Sequence, residues 1–176
     1  MQAINRFIIE KLRLSKAKSY NYFPNTKEEL ISILKERLRK DKNADLNDID
    51  VSNITNMANL FVDLNPRNIN ISEWDVSNVE NMEFMFSCCE NFNSDLSKWN
   101  VSNVKNIAGM FYECRSFNSD LSHWNVFNVK NMCGMFCDCE KFNYDLNNWD
   151  VSNVEYMMDM FFGCSSLKKK PKWYEE

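Results

Sequence analysis

The stretch that decides the fold is WNVSNVKNIAGMFYECRSFNSDLSH, residues Trp99 to His123. Its pattern starts again at Trp74, Trp124 and Trp149, and in degenerate form at Ile49. A fixed period of 25 residues is the mark of a stacked repeat array. Within one copy, Leu96-x-x-Trp99-x-Val101 puts Trp99 and Val101 on one face of an expected strand, with Lys98, Asn100 and Ser102 on the other. Val104, Ile107, Met110, Phe111 and Cys114 then follow at spacings of three, four and seven, which predicts a helix or tight helical turns. Ser102 and Asn103 stand where a side-chain oxygen caps such a segment. Gly and Pro are scarce, so Asn and Asp must supply the turn chemistry.

One copy cannot bury its own apolar side, but stacked copies bury continuous columns. The columns are Trp74/99/124/149, Val51/76/101/126/151, Phe61/86/111/136/161 and Leu64/Cys89/Cys114/Cys139/Cys164. Layers about 4.8 Å apart would set like residues almost on top of one another. The column Asn53/78/103/128/153 is expected to bond backbone from layer to layer.

The Leu-x-x-Trp-x-Val unit followed by Val-x-x-Met-x-x-Met-Phe-x-x-Cys resembles the BspA-like leucine-rich repeats, over residues 46 to about 167. The branch it most resembles reads WDVSNVxNMxxMFxxCxxFNxDLSx and occurs in bacterial surface proteins and in phage or mobile-element proteins. The expected fold is a short right-handed α/β solenoid of the leucine-rich-repeat type with about five coils, starting at 49, 74, 99, 124 and 149. Residues 1–45 are expected to form a helical hairpin cap, 46–167 the solenoid and 168–176 a charged tail that ends the stack. Thr26 and Glu29 form a capping box for the second cap helix, with Leu30, Ile33, Leu34 and Leu38 on its apolar stripe.

Residues 1–14 space Ile4, Phe7, Ile8 and Leu12 as an amphipathic helix rather than as the unbroken apolar core of a signal peptide. No run long enough to span a membrane is present. Seven cysteines, four of them in one repeat column, read as reduced thiols and a cytoplasmic location. The net charge of −4 hides an asymmetry. Residues 1–48 hold 11 Lys/Arg against 7 Asp/Glu, and residues 49–176 hold 10 against 18. The acidic repeats argue against direct nucleic-acid binding and suit a protein partner with a basic surface.

Chemistry has few footholds. His123 has no nucleophile tied to it by the repeat, so no catalytic residue is assigned. The Asn-x-Asp steps at Asn93/Asp95, Asn118/Asp120 and Asn143/Asp145 lack the glycines of calcium-binding solenoids. Cys133, Cys137 and Cys139 lack the paired spacing of a zinc site, with Cys133 and Cys137 expected at exposed helix positions. No metal or cofactor is expected. The informative residues break the repeat on its outward faces. Phe127 replaces the recurring Ser of positions 52, 77, 102 and 152, beside Lys98, Asn100, His123, Asn125, Asn148 and Asp150. Phe84, Tyr112 and Phe162, with Met158 nearby, vary on the helical side.

The expected function is a non-catalytic protein-binding module, monomeric or homodimeric, with Tyr112 and the face around Phe127 as contact residues. The resemblance implies a phage or mobile-element inhibitor of a host defence protein, such as a nucleic-acid-guided nuclease. The rival readings are a thiol- or His-dependent enzyme and a self-associating structural repeat protein.

Overall fold

The structure is a computed structural model and describes residues 19–175. The expected first cap helix lies outside the described residues. The second is present as α1, Lys27–Lys40. Thr26 caps it, its Oγ1 accepting from Glu29 N at 3.2 Å, while Asn25 N donates to Glu29 Oε2 at 2.7 Å. Acidic residues fill the first turn and Arg37, Arg39 and Lys40 the last, which matches the helix dipole.

The α/β solenoid expectation is corrected. Among the described residues α1 is the one helix, and the repeats hold isolated single-residue bridges in place of strands. The cause lies in how the apolar three-residue spacing is used. In the 99–123 copy, Trp99 N donates to Leu96 O, Val104 to Val101, Met110 to Ile107, Cys114 to Phe111 and Phe117 to Cys114. Each pair closes one tight turn and points both ends inward. A helix would need i→i−4 bonds, but the N–H groups of Ile107, Gly109, Phe111 and Glu113 leave the segment altogether. They donate to Asn131, Cys133, Met135 and Cys137 of the following copy at 2.8 to 3.0 Å. Positive φ at Gly109 (57°) and Glu113 (56°) turns these donors outward along the stack. Nests of this alternating kind line up N–H groups.

The copies therefore stack in register as turn-built layers. Parallel bridges join Asn56, Asn81, Asn106, Asn131 and Tyr156 in succession. Asx turns hold the corners: Ser97 N donates to Asp95 Oδ1, Ser102 N to Asn100 Oδ1 and Ala108 N to Asn106 Oδ1, at 2.9 to 3.2 Å. The Asn column bonds layer to layer, as in Asn103 Nδ2 to Ser77 O at 2.7 Å and Asn128 Nδ2 to Ser102 O at 2.7 Å.

The four tryptophans form one buried file. The indole N–H of each donates to a carbonyl one layer back, Trp74 to Leu46, Trp99 to Ile71, Trp124 to Leu96 and Trp149 to Leu121, at 2.9 to 3.0 Å. Beside it the rings of Phe86, Phe111 and Phe136 stack at 5.7 Å intervals, with Phe92, Phe117 and Phe142 packed against them at 4.0 to 4.2 Å.

The two ends of the stack differ. At the N-terminal end α1 buries Leu30, Leu34 and Leu38 against the first layer. Its Lys27 ammonium donates to Ala58 O, and Lys42 to Leu64 O. Arg37 is paired with Asp48 at 3.0 Å. At the C-terminal end Trp173 extends the tryptophan file, stacked on Trp149 at 6.3 Å, with its indole N–H on Leu146 O. Tyr174 stands edge-on to Phe161 at 5.1 Å. No helix among the described residues is long and apolar enough to cross a membrane.

Candidate functional site

The seven contact residues expected around Phe127, itself included, all lie on exposed corners of the layers. Lys98, His123 and Asn148 share one column, and Asn100, Asn125 and Asp150 another. Asn125 Oδ1 accepts from Phe127 N at 3.2 Å, and Asp150 Oδ1 from Ser152 N at 3.0 Å. The Ser152 side-chain and backbone bonds hold the Asp150 carboxyl below the usual carboxylate range. These are turn-building roles for Asn125 and Asp150. The Phe127 ring is 46% exposed. His123 is exposed near Asp120, whose carboxylate is held low first by its bonds to Ser122.

Tyr112 belongs to a different place. It lines a groove of about 430 Å3 with Phe84, Gly109, Cys133, Gly134, Cys137, Met158, Asp159 and Phe162. None of the Phe127 group lines it. The groove exists because one column changes size along the stack. Its members are Asn59, Phe84, Gly109, Gly134 and Asp159, all at positive φ between 51° and 58°. The Phe84 ring lies over Gly109, where an added Cβ would collide with Phe84 Cε1 and Cδ1. At Gly134 an added Cβ would meet nothing nearer than Cys137 Cβ at 3.8 Å, so the floor there is open. Two adjacent small residues followed by the exposed Met158 and Phe162 make a trough with apolar walls.

Acids surround it. Asp159 is in the lining, and Asp138 and Glu113 act on the same thiol, Cys137. Burial pushes Cys137 up to about 11, and Asp138, Asp159 and Glu113 add to the rise. The Tyr112 hydroxyl is raised first by its hydrogen bond to Glu113 and then by that charge. Burial is the larger cause at Cys137 and the Glu113 hydrogen bond at Tyr112, and the neighbouring carboxylates add to both.

The sequence reading of Cys137 as exposed is corrected: it is buried, and Cys133 is half-buried. The column thiols are shielded further. Cys114 and Cys139 donate to Phe86 O and Phe111 O at 3.0 Å, and burial raises both well above the ordinary thiol value. Burial pushes Cys89 and Cys164 up to about 12. A thiol reacts as its thiolate, so these five are expected to be slow. A disulfide reagent at neutral pH should label Cys88 and Cys133 rapidly, two of the seven thiols, and the rest only after denaturation. Fast labelling of Cys137 would contradict its burial beside Asp138. Among the described residues no group of three or more His, Cys, Asp or Glu is placed to hold a metal ion.

The trough had a weak signal in sequence. Phe84, Tyr112, Met158 and Phe162 stand out as variable apolar positions, but nothing marks Gly109 and Gly134 as its floor. No curated protein and no solved structure matches the chain. Residues 32–136 and 110–175 match the family described as "Mycoplasma protein of unknown function, DUF285". Those segments take in α1 from Ser32 onward, every layer and the folded-back tail, and the chain belongs to that family.

Proposed function

We propose that the protein is a non-catalytic protein-binding module whose trough takes a basic amphipathic segment of a partner. The trough itself carries this reading: a groove of about 430 Å3 with acids at its rim and large apolar side chains left in water. Met158 is 73% exposed and Phe162 65% in one layer, and Phe84, 38% exposed, stands at the other end of the same groove, three layers away across Gly109 and Gly134. A contiguous exposed apolar surface on a folded chain marks an interaction site, whereas a single exposed side chain does not. Apolar residues supply the affinity, and the acidic rim selects a positively charged neighbour.

The repeat pattern's resemblance to BspA-like proteins supports binding over catalysis, because stacked repeats offer a rigid surface whose variable positions choose the partner. A defence nuclease with a basic channel, the target implied by the mobile-element resemblance, is one partner of fitting charge.

The test separates the trough from the Phe127 face. A basic amphipathic peptide or captured partner should bind the Met158→Ser/Phe162→Ser variant about tenfold or more weakly, since removing two anchors costs at least ~1.4 kcal/mol. Phe127→Ser should bind as the parent protein does. The reverse result, with Phe127→Ser impaired and the double variant normal, would move the site to the turn corners.

A further inference from the structure

One column of the array shows what fills the space above a glycine. Phe84, Gly109, Gly134 and Asp159 hold the same position in successive layers, at φ of 51°, 57°, 58° and 56°. The Phe84 side chain leans one layer forward, so that its ring covers Gly109. Gly109 has no side chain with which to repeat the move, and the equivalent place over Gly134 stays open. An added Cβ at Gly134 would find Cys137 Cβ at 3.8 Å and Tyr112 Cδ2 at 4.0 Å, and nothing closer. The place is a socket of the kind the Phe84 ring already fills one layer earlier. Phe84 stands behind it, Tyr112 and Cys137 beside it and Asp159 ahead of it.

Two neighbours set the chemistry of the socket. A ring placed over Gly134 would stand one layer beyond the Phe84 ring, the offset at which Phe86, Phe111 and Phe136 stack at 5.7 Å. Aromatic pairs at such distances gain more than their buried area provides, which favours a ring over an aliphatic side chain. Asp159 is exposed in the next layer, and no ion pair holds its carboxylate among the described residues. A carboxylate at one side of an apolar socket selects for a cation next to the ring.

We infer that the open place over Gly134 is the anchor pocket of the trough: it takes one aromatic side chain of a partner segment, with a Lys or Arg adjoining that ring and facing Asp159. The inference rests on the trough being the binding site and adds which side chains are read there. Residues 1–18 of this chain contain one such pair, Arg6-Phe7. They join the described chain at Ser19, which shares a groove with Asp45, Asp48 and Glu73. Asp48 and Glu73 begin the column that continues through Lys98 and His123, and no member of that column lines the trough. The tether therefore starts in the first layers and on another face, and the occupant is a separate polypeptide.

The experiment uses the full-length protein and three acetylated, amidated pentapeptides: Ala-Lys-Phe-Lys-Ala, Ala-Lys-Leu-Lys-Ala and Ala-Glu-Phe-Glu-Ala. Binding is read as slower reaction of Cys133, which lines the trough, with a disulfide reagent. Cys88, which does not line it, is the internal reference. The Lys-Phe-Lys peptide should protect Cys133 at roughly fivefold lower concentration than its leucine counterpart, and the Glu-flanked peptide should not protect it. Gly134→Asn should abolish the preference for Phe over Leu. Asn59 already holds this column position at φ of 58°, so the backbone accepts the change. Equal protection by the Phe and Leu peptides, or by the Lys- and Glu-flanked ones, overturns the inference and leaves the trough reading standing. So does a preference for Phe that survives Gly134→Asn. No protection by any of the three overturns the trough reading as well. If Cys133 reacts slowly in the free parent protein and fast in Phe7→Ser, the socket holds this chain's own Phe7, and a separate partner is ruled out.

Discussion

Phe111→Ala is expected to lower the unfolding free energy by about 4 kcal/mol, the middle of the range for removing a buried phenylalanine ring. Phe111 is fully buried at the centre of the array. Its ring stacks on Phe86 and Phe136 at 5.7 Å on either side and packs on Phe117 at 4.0 Å. The backbone around it is pinned: Phe111 N donates to Met135 O, and its carbonyl accepts from Cys114 N and Cys139 Sγ. A pinned frame cannot close over the hole, so the cavity persists and its full cost is felt. In a stacked array each layer is stable largely through its two neighbours, so a central defect weakens two interfaces at once. Urea unfolding followed by tryptophan fluorescence measures the loss. Phe162→Ala, at a 65% exposed ring, is the control and should stay within about 0.5 kcal/mol of the parent. Comparable losses at both sites would mean that the phenylalanine file does not hold the array together.

The columns could be read in the sequence because stacking repeats the same chemical demand every 25 residues. Trp99 recurs at Trp124 since each indole must both fill its layer and satisfy a carbonyl one layer back, Ile71 O for Trp99 and Leu96 O for Trp124. Thr26 and Glu29 were equally plain, because a capping box is local chemistry. The path of the backbone between columns was not. Ile107 to Met110 and Phe111 to Cys114 show the spacing of a helical stripe, yet each spans a closed turn. Periodicity records which side chains point inward and does not record where the N–H groups go. Positive φ was illegible for a related reason: Phe84, Cys88 and Glu113 adopt it without being glycine or asparagine, held there by bonds to the next layer. The trough followed the same rule. Phe84 reaches its position over Gly109 through stacking, a relation between residues one layer apart that neither residue announces alone. Phe127 stands out as an aromatic in a serine column, and it is exposed, but its neighbours are polar turn residues rather than further apolar side chains.

The double variant Leu34→Asp/Leu38→Asp is expected to detach α1 and to turn the protein from a closed array into one that associates head to tail. Both leucines are buried against the first layer. An uncompensated carboxylate in such a place costs roughly 3–5 kcal/mol, more than the helix can recover through Arg37–Asp48 and its other polar contacts. Detachment would also withdraw the Lys27 ammonium from Ala58 O. The carbonyls of Asn56, Ala58, Leu60 and Val62 would then face water at one end of the stack. At the other end the N–H groups of Met157, Asp159, Phe161 and Gly163 already lack acceptors among the described residues. Acceptors and donors would stand at opposite ends in the register that every inner layer uses, and residues 168–174, which lie over Trp149 and Phe161, would have to move aside for the contact to form. A contact between unlike surfaces does not close on itself, so it propagates into chains of molecules. Sedimentation velocity should show species that grow with protein concentration in the double variant, while Glu36→Lys, on the exposed face of α1, should leave the parent's behaviour unchanged. If the double variant keeps its layers, as tryptophan fluorescence would report, and does not associate at any concentration, then α1 is not what keeps the acceptor end closed.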